Sequence, residues 1–165
     1  MPIDPNLSEQ VDNEEIKCYQ KRLKDSDADL ICDIIKKNKV TKLMLARNLL
    51  THEAAVKIAE AMCTNTSIKV LSLGGNQFRD EGIECWAKMI KENTTVEQLL
   101  LCSNFASEKA CDVLWEANAT REKPFTDNLY GLVLDHISPD QRRRVADAKV
   151  AAKGGMKTVA AKASS

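Results

Sequence analysis

Aromatic residues and histidine are scarce in this 165-residue chain. Phe, Trp and Tyr together make up 4% of the residues, and the two histidines are His52 and His136. A core with so few rings must be built mainly from Leu, Ile, Val, Ala and Met. Charged residues make up 29% and apolar residues 44%, an ordinary balance for a folded chain. The length and composition therefore predict one domain with a substantial core.

The sequence also lacks long apolar runs. No stretch approaches the roughly 20 apolar residues that a membrane-spanning helix requires. The first residues, Met1–Pro5, have neither the positive charge nor the apolar stretch of a secretory signal. We therefore expect a cytoplasmic chain with no membrane span. In that compartment the six cysteines are expected to be free, mostly buried thiols.

Motifs for metal binding, nucleotide binding and catalysis are absent as well. The sequence contains no C-x-x-C, H-E-x-x-H or G-x-x-x-x-G-K-[ST] pattern. His52 is expected at the exposed start of a helix, and His136 has no Ser or Cys at motif spacing. Cys102 has no neighbour in sequence that would lower its pKa. These absences favour a protein that is not an enzyme and that uses no cofactor or metal.

An internal repeat of 28 residues carries most of the information. Three segments align without gaps: V-T-K-L-M-L-A-R-N at 40–48, I-K-V-L-S-L-G-G-N at 68–76 and V-E-Q-L-L-L-C-S-N at 96–104. Between these segments the apolar residues change to helical spacing. Each unit is therefore predicted to be a strand, an asparagine turn, a helix and a polar turn. Two leucines of each strand point into the core, and the asparagine is expected to bond backbone groups where the strand ends.

This pattern resembles the ribonuclease-inhibitor type of leucine-rich repeat, which is marked by long helices and by the phrase N-T-[ST]-apolar before each strand. The phrase occurs at Asn65–Ile68 and Asn93–Val96. The resemblance covers about residues 27–135. It implies a short α/β horseshoe, with a parallel sheet on the concave face and helices on the convex face. It also implies that partners bind the sheet face and its loops.

The repeat domain is expected to span residues 27–137. A half-repeat helix at Asp27–Lys37 begins it, and a fourth strand at Leu129–Leu134 ends it, where Leu132 and Leu134 restore the L-x-L spacing. A single repeat cannot bury its apolar face alone, so stacked neighbours and atypical end units have to close the core.

The two ends of the chain differ in charge. Residues 1–26 are expected to form a helical cap, in which a helix at 7–24 either covers the first repeat or docks on a partner. Residues 138–165 are expected to form a helix and then a flexible tail. Seven basic residues and one acidic residue follow Asp140, a net charge of +6 that leaves −6 for residues 1–140. The side chains expected to meet an anionic partner are Arg142, Arg143, Arg144, Lys149, Lys153 and Lys157.

Short repeats followed by a final irregular strand and an arginine-rich helix are, taken together, similar to the C-terminal domain of tropomodulins, which cap actin filaments. The resemblance implies an alternative function, in which the protein binds a cytoskeletal filament or a flagellar axoneme and the basic tail contacts an acidic surface. Anionic lipid remains another partner for the tail. Nucleic acid is the least favoured, because no aromatics are interleaved to stack on bases.

The outward strand residues form the candidate binding surface. Met44, Val70, Leu100 and Val133 give it an apolar strip beside small residues, which fits protein contact. The alternative is that a terminal segment folds across this strip and hides it. The full set of candidate residues is Lys42, Met44, Ala46, Arg47, Val70, Ser72, Gln98, Leu100, Cys102 and Val133. We predict a protein-binding module or a scaffold subunit of a larger intracellular assembly.

Overall fold

The computed structural model describes residues 15–125 and 132–135. Within them, short strands form one parallel sheet whose order follows the chain. The strands are β1 (Glu15–Lys17), β2 (Lys42–Met44), β3 (Val70–Ser72), β4 (Gln98–Leu100) and β5 (Leu132–Val133). The helices are α1 (Ala28–Lys36), α2 (His52–Cys63), α3 (Arg79–Glu84), α4 (Trp86–Glu92) and α5 (Glu108–Ala119), with a 3-10 turn at Asp25–Asp27. The sheet lines the concave side of a short arc and the helices its convex side, which confirms the predicted fold class.

The strands pair in the register that the repeat predicts. Leu43, Leu71 and Leu99 are cross-strand partners, and Ile16 and Leu132 extend the row in both directions. The side chains of this row are buried together with the apolar sides of the helices in one continuous core. Parallel strands require crossover connections, and here the helices supply them while covering the core face of the sheet.

Three asparagines form a ladder where the strands end. Asn48, Asn76 and Asn104 are buried. Each donates from Nδ2 to the carbonyl three residues earlier in its own repeat, at 2.7–2.8 Å. Each also donates to a carbonyl of the preceding repeat, at 2.8–3.2 Å. The ladder therefore satisfies buried backbone groups in the way the sequence predicts.

At the start of two helices, the N-cap residue donates hydrogen bonds to an aspartate of the preceding repeat. Thr51 and Ser107 are the N-cap residues of α2 and α5. The hydroxyl of Thr51 donates to Asp25 at 2.6 Å, and that of Ser107 donates to Asp80 at 2.7 Å. Each carboxylate also accepts the backbone N–H of the same N-cap residue. The bonds fix where one helix begins relative to its neighbour.

The prediction of an N-terminal helix at 7–24 is wrong for its described part. Glu15–Lys17 form β1, which pairs in parallel with β2, and no helix covers 18–24. Ile16 and Cys18 stand 27 residues before Leu43 and Leu45, so they repeat the L-x-L spacing with other apolar residues. Pairing with an existing strand edge outweighs the local helical spacing. Residues 7–14 lie outside the described residues.

Two other predicted elements are present within their predicted ranges. α1 lies within the predicted half-repeat helix 27–37. β5 falls within the predicted strand 129–134 and pairs with β4. His52 begins α2 and is exposed, as expected. No helix of the described ranges is long and apolar enough to cross a membrane. The predicted helix from Ser138, His136 and the basic tail lie outside the described residues.

Candidate functional site

Three rows of residues cross the outer side of the sheet, and together they are called the concave face below. The first row contains Glu15, Lys42, Val70 and Gln98. The second row contains Lys17, Met44, Ser72, Leu100 and Val133. The third row follows from the same repeat spacing and contains Tyr19, Ala46, Gly74 and Cys102. The structure therefore places the predicted outward strand residues on one surface.

The second row holds an apolar strip around a small residue. Met44 and Leu100 are half-buried, and Ser72 between them is buried. Ser72 pairs with Met44 on one side and with Leu100 on the other, so the two longer side chains flank its short one. Ser72 is therefore part of this face but offers little surface of its own. Val133 continues the row through its backbone, and its side chain lies outside the described residues.

Three charged or polar side chains of the first row border the strip, and Val70 extends the apolar surface between them. Lys42 is exposed, while Val70 and Gln98 are half-buried. Glu15 is half-buried and lies 3.3 Å from the ammonium of Lys17. The arrangement is an apolar centre with a polar margin, which is common in protein interfaces.

The third row is tightly packed. A Cβ added to Gly74 would lie 3.1 Å from the carbonyl oxygen of Cys102 and 3.2 Å from its Sγ. Burial raises the pKa of the Cys102 thiol, and the carboxylate of Asp135 raises it further. This is the opposite of what a reactive thiolate requires. Ala46 is buried in this row although it was predicted to face outward. The backbone N–H of Gln20 donates to the Ala46 carbonyl at 3.1 Å.

Two exposed aromatic side chains near the concave face were not among the candidate residues predicted from the sequence. Tyr19 is 43% exposed and Phe105 is 76% exposed. The guanidinium carbon of Arg47 lies 5.5 Å from the centre of the Tyr19 ring. Aligning residues 16–21 with 43–48 would have found Tyr19, because that alignment places it beside Ala46. Phe105 has no such signal, because the repeat does not predict the exposure of a loop side chain.

The cysteine thiols and His52 are not arranged as a catalytic site in the described residues. All six cysteines are free thiols; Cys18, Cys32 and Cys111 are buried and the others are half-buried. Burial raises the pKa of Cys85 to about 12. His52 is exposed and lies 4.0 Å from Glu81. In the described parts of the chain, no cluster of His, Cys, Asp and Glu is arranged to hold a metal ion.

The leucine row, the asparagine ladder and the alternation of strand and helix define a leucine-rich-repeat fold. No protein-family model matches the sequence. The chain is 31% identical over 99 residues to NACHT, LRR and PYD domains-containing protein 9 of Bos taurus, covering 58% of this chain and 10% of that protein. It is 24% identical over 115 residues to NACHT, LRR and PYD domains-containing protein 13 of Homo sapiens, covering 68% of this chain and 11% of that protein. The chain thus spans about a tenth of the length of these curated relatives.

A solved structure shares the fold over nearly the whole chain. It is the actin-binding site 2 (ABS2) of leiomodin-1, with a TM-score of 0.71 and 14% sequence identity. The similarity covers 94% of each chain. At this identity the comparison establishes a common fold, a short leucine-rich-repeat arc.

Proposed function

We propose that this chain is a non-enzymatic protein-binding module, or a scaffold subunit of a larger assembly, that binds its partner through the concave face. The strip of Met44, Ser72 and Leu100 supports this proposal most directly. It places two half-buried apolar side chains beside the exposed Lys42 on the concave face. The fully buried centre of a protein interface is more apolar than its margin, and methionine is enriched in interfaces.

The proposal is tested by affinity capture from native cell extract. The wild-type chain is compared with Met44→Glu/Leu100→Glu, which places two carboxylates in the strip. Val56→Glu is the matched control, because Val56 is an exposed apolar residue on α2. A protein retained by wild type and Val56→Glu but lost by the double variant supports binding through the concave face. Equal capture by all three folded proteins would contradict it.

A second candidate function is attachment to the cytoskeleton, in the cytoplasm. It is supported by the fold shared with a structure named as an actin-binding site of leiomodin-1 and by the net charge of +6 that follows Asp140. The basic side chains of Arg142, Arg143 and Arg144 would contact an acidic filament surface in this proposal. The resemblance to tropomodulins is part of this cytoskeletal proposal. We also propose that the repeats are of the ribonuclease-inhibitor type.

Pelleting with purified actin filaments or microtubules tests the cytoskeletal proposal. The expected result is salt-sensitive co-sedimentation, weakened when Arg142, Arg143 and Arg144 are all changed to Gln. The variant Lys88→Gln controls for loss of charge elsewhere, because Lys88 is exposed on α4. If the wild-type chain stays in the supernatant with both filaments at low salt, the proposal is rejected.

A further inference from the structure

Residues with a left-handed backbone are concentrated in the loops that follow the strands, and these loops are called the loop edge below. They comprise residues 18–24, 45–51, 73–78 and 101–107. In each repeat one such residue stands directly before the position of the ladder asparagine. These residues are Gln20 (φ 54°), Arg47 (φ 55°), Gly75 (φ 73°) and Ser103 (φ 58°). Arg22 (φ 59°) and Phe105 (φ 60°) also have this backbone in the same loops.

Glycine fits this position without strain, whereas an L-residue with a side chain does not. Gly75 stands at the position in one repeat, whereas Gln20, Arg47 and Ser103 occupy it in the others. The fold therefore accepts glycine there, yet three repeats keep a side chain at a conformational cost, and that of Arg47 is long and cationic. Strained positions of this kind are concentrated at functional sites.

The side chain of Arg47 is held between two neighbours. Its guanidinium lies over the ring of Tyr19 on one side. On the other side, a Cβ added to Gly75 would lie 3.1 Å from the Cγ of Arg47, so the stem of the arginine passes close to that glycine. The guanidinium is thus oriented before any partner arrives, which lowers the entropic cost of binding.

The carboxylates nearest the loop edge are already engaged. Asp80 accepts the N–H and hydroxyl of Ser107, and Asp135 accepts the N–H groups of Ser103 and Asn104. Asp25 is engaged in the same way by Thr51. Among residues 15–125 and 132–135, neither Arg22 nor Arg47 is part of an ion pair.

Exposed cations therefore remain at this edge. Lys21, Arg22 and Arg47 are exposed in the first two loops. The exposed acids Glu53, Glu81 and Glu108 belong instead to the first turns of α2, α3 and α5. The four loops themselves contain no acidic residue, so the charge of the loop edge is positive.

We propose that the loop edge binds an extended acidic segment of a partner protein that carries an aromatic or large apolar residue. Carboxylates of the segment pair with the guanidinium groups of Arg47 and Arg22, a geometry that permits two parallel hydrogen bonds to each carboxylate. The apolar residue packs on Phe105, which is 76% exposed. The inference rests on the proposed protein-binding function and adds the chemistry of the partner.

The spacing of the strands sets the spacing of the segment. β2 and β4 are two strands apart, roughly 10 Å, because neighbouring strands lie about 4.8 Å apart. An extended chain covers that distance with about three residues. The acidic and apolar residues of the partner are therefore expected about three positions apart.

The probe is a fluorescein-labelled 12-residue peptide with two adjacent glutamates and a tryptophan three residues later, and its binding to the full chain is followed by fluorescence anisotropy. A second peptide replaces both glutamates with glutamine. We expect salt-sensitive binding of the first peptide and at least about tenfold weaker binding of the second.

Arg47→Gly separates a functional role from a structural one. It is expected to weaken binding of the acidic peptide about tenfold, while its melting temperature equals or exceeds that of the wild type because the backbone strain is relieved. Arg47→Lys keeps the charge and is expected to bind within about threefold of wild type. Phe105→Ser is expected to weaken binding without a loss of melting temperature, since the ring is exposed. Lys88→Gln is the charge control and is expected to bind as wild type does.

The outcomes distinguish this inference from the proposed function. Unchanged peptide binding in Arg47→Gly, or a clearly lower melting temperature in that variant, would overturn the inference. Binding of the glutamine peptide as tight as that of the acidic peptide would do the same. If the extract partner is lost by Met44→Glu/Leu100→Glu while the acidic peptide fails to bind wild type, the concave face functions without an acidic segment at the loop edge. If neither partner nor peptide binds, both proposals fail.

Discussion

Arg121 stands 28 residues after Asn93 and binds its carbonyl oxygen, through Nε at 3.1 Å and Nη2 at 2.8 Å. Asn65 and Asn93 form a second ladder on the helical side of the arc, in which Asn93 donates to the Asn65 carbonyl at 2.9 Å. Arg121 occupies the next position of that ladder, where a third asparagine would stand. It is buried and lies over the ring of Phe125 at 4.1 Å. Burial lowers the pKa of Arg121 from its usual value.

Replacing Arg121 with alanine is expected to destabilise the fold by about 2–4 kcal/mol, because buried carbonyls of Asn93 and Val96 lose their donor. Arg121→Asn is expected to cost less, since an amide at this position can still donate to the Asn93 carbonyl. Urea unfolding followed by circular dichroism measures both. Lys109→Ala, at an exposed position of α5, is the control. A loss of stability no larger than that of the control would show that Arg121 does not close the ladder.

Gly82 lies in α3 and is buried, and alanine there is expected to destabilise the protein by about 1–3 kcal/mol. Glycine to alanine normally stabilises a helix by about 1 kcal/mol, so the expected sign is opposite to the helix propensity. The reason is space: an added Cβ would lie 2.8 Å from the Cβ of Phe78 and 2.9 Å from the Cα of His52. Thermal unfolding measures the change, and Glu84→Ala on the exposed side of α3 is the control. A rise in melting temperature for Gly82→Ala would refute the close contact.

The stability contributed by Asp80 is expected to disappear in acid. Hydrogen bonds from the backbone and hydroxyl of Ser107 lower the pKa of Asp80 in the folded chain. Its stabilising effect is therefore present above the unfolded pKa of about 3.9 and is lost as the pH falls through the lower folded value. Asp80→Asn should cost less than about 1 kcal/mol at pH 7, because solvent screens this exposed carboxylate.

The measurement is urea unfolding of wild type and Asp80→Asn at pH 7 and at pH 3. The difference in the free energy of unfolding between wild type and Asp80→Asn is expected to be smaller at pH 3 than at pH 7. Glu116→Gln, at an exposed site on α5, serves for comparison. If this difference in the free energy of unfolding stays constant or grows in acid, the charge of Asp80 does not stabilise the start of α5.

Cys85 is expected to resist alkylation in the folded protein. Burial raises the pKa of its thiol to about 12, so its thiolate fraction at pH 8 is about 1 in 10,000. Iodoacetamide should therefore label Cys85 at least about 100-fold more slowly than it labels glutathione, and should label it readily in urea. Peptide mass spectrometry over a time course gives the rate at each cysteine. Equal labelling of Cys85 with and without urea would indicate that the thiol is accessible.

The periodic features were predictable because they follow from spacing alone. Leu43, Leu71 and Leu99 must share one row if each repeat has the same length, and their asparagines must then stack. β1 was not predictable from the leucines and asparagines of the repeat. Cys18 stands in place of the second leucine and Lys21 in place of the asparagine, so the first strand has the spacing of the repeat without its residues.

The candidate binding surface was predictable only in outline. Alternation along the strands placed Met44 and Leu100 on the outer side, and the structure agrees. Burial within that surface depends on neighbours from other repeats, as with Ser72 between Met44 and Leu100. The strained backbone of Arg47 and its position over Tyr19 likewise have no counterpart in local sequence.

The sequence by itself determined the repeat length, the identity of the core rows and the class of the fold, because hydrophobic periodicity and turn residues act locally and recur every 28 residues. Tertiary structure alone decided the added strand β1, the closing role of Arg121 and the cationic, aromatic loop edge. Each of these depends on contacts between residues 25 or more positions apart, such as Arg121 with Asn93 and Val96, or Arg47 with Tyr19 across paired strands. Such contacts form only when the repeats stack, so no local pattern of residues contains them.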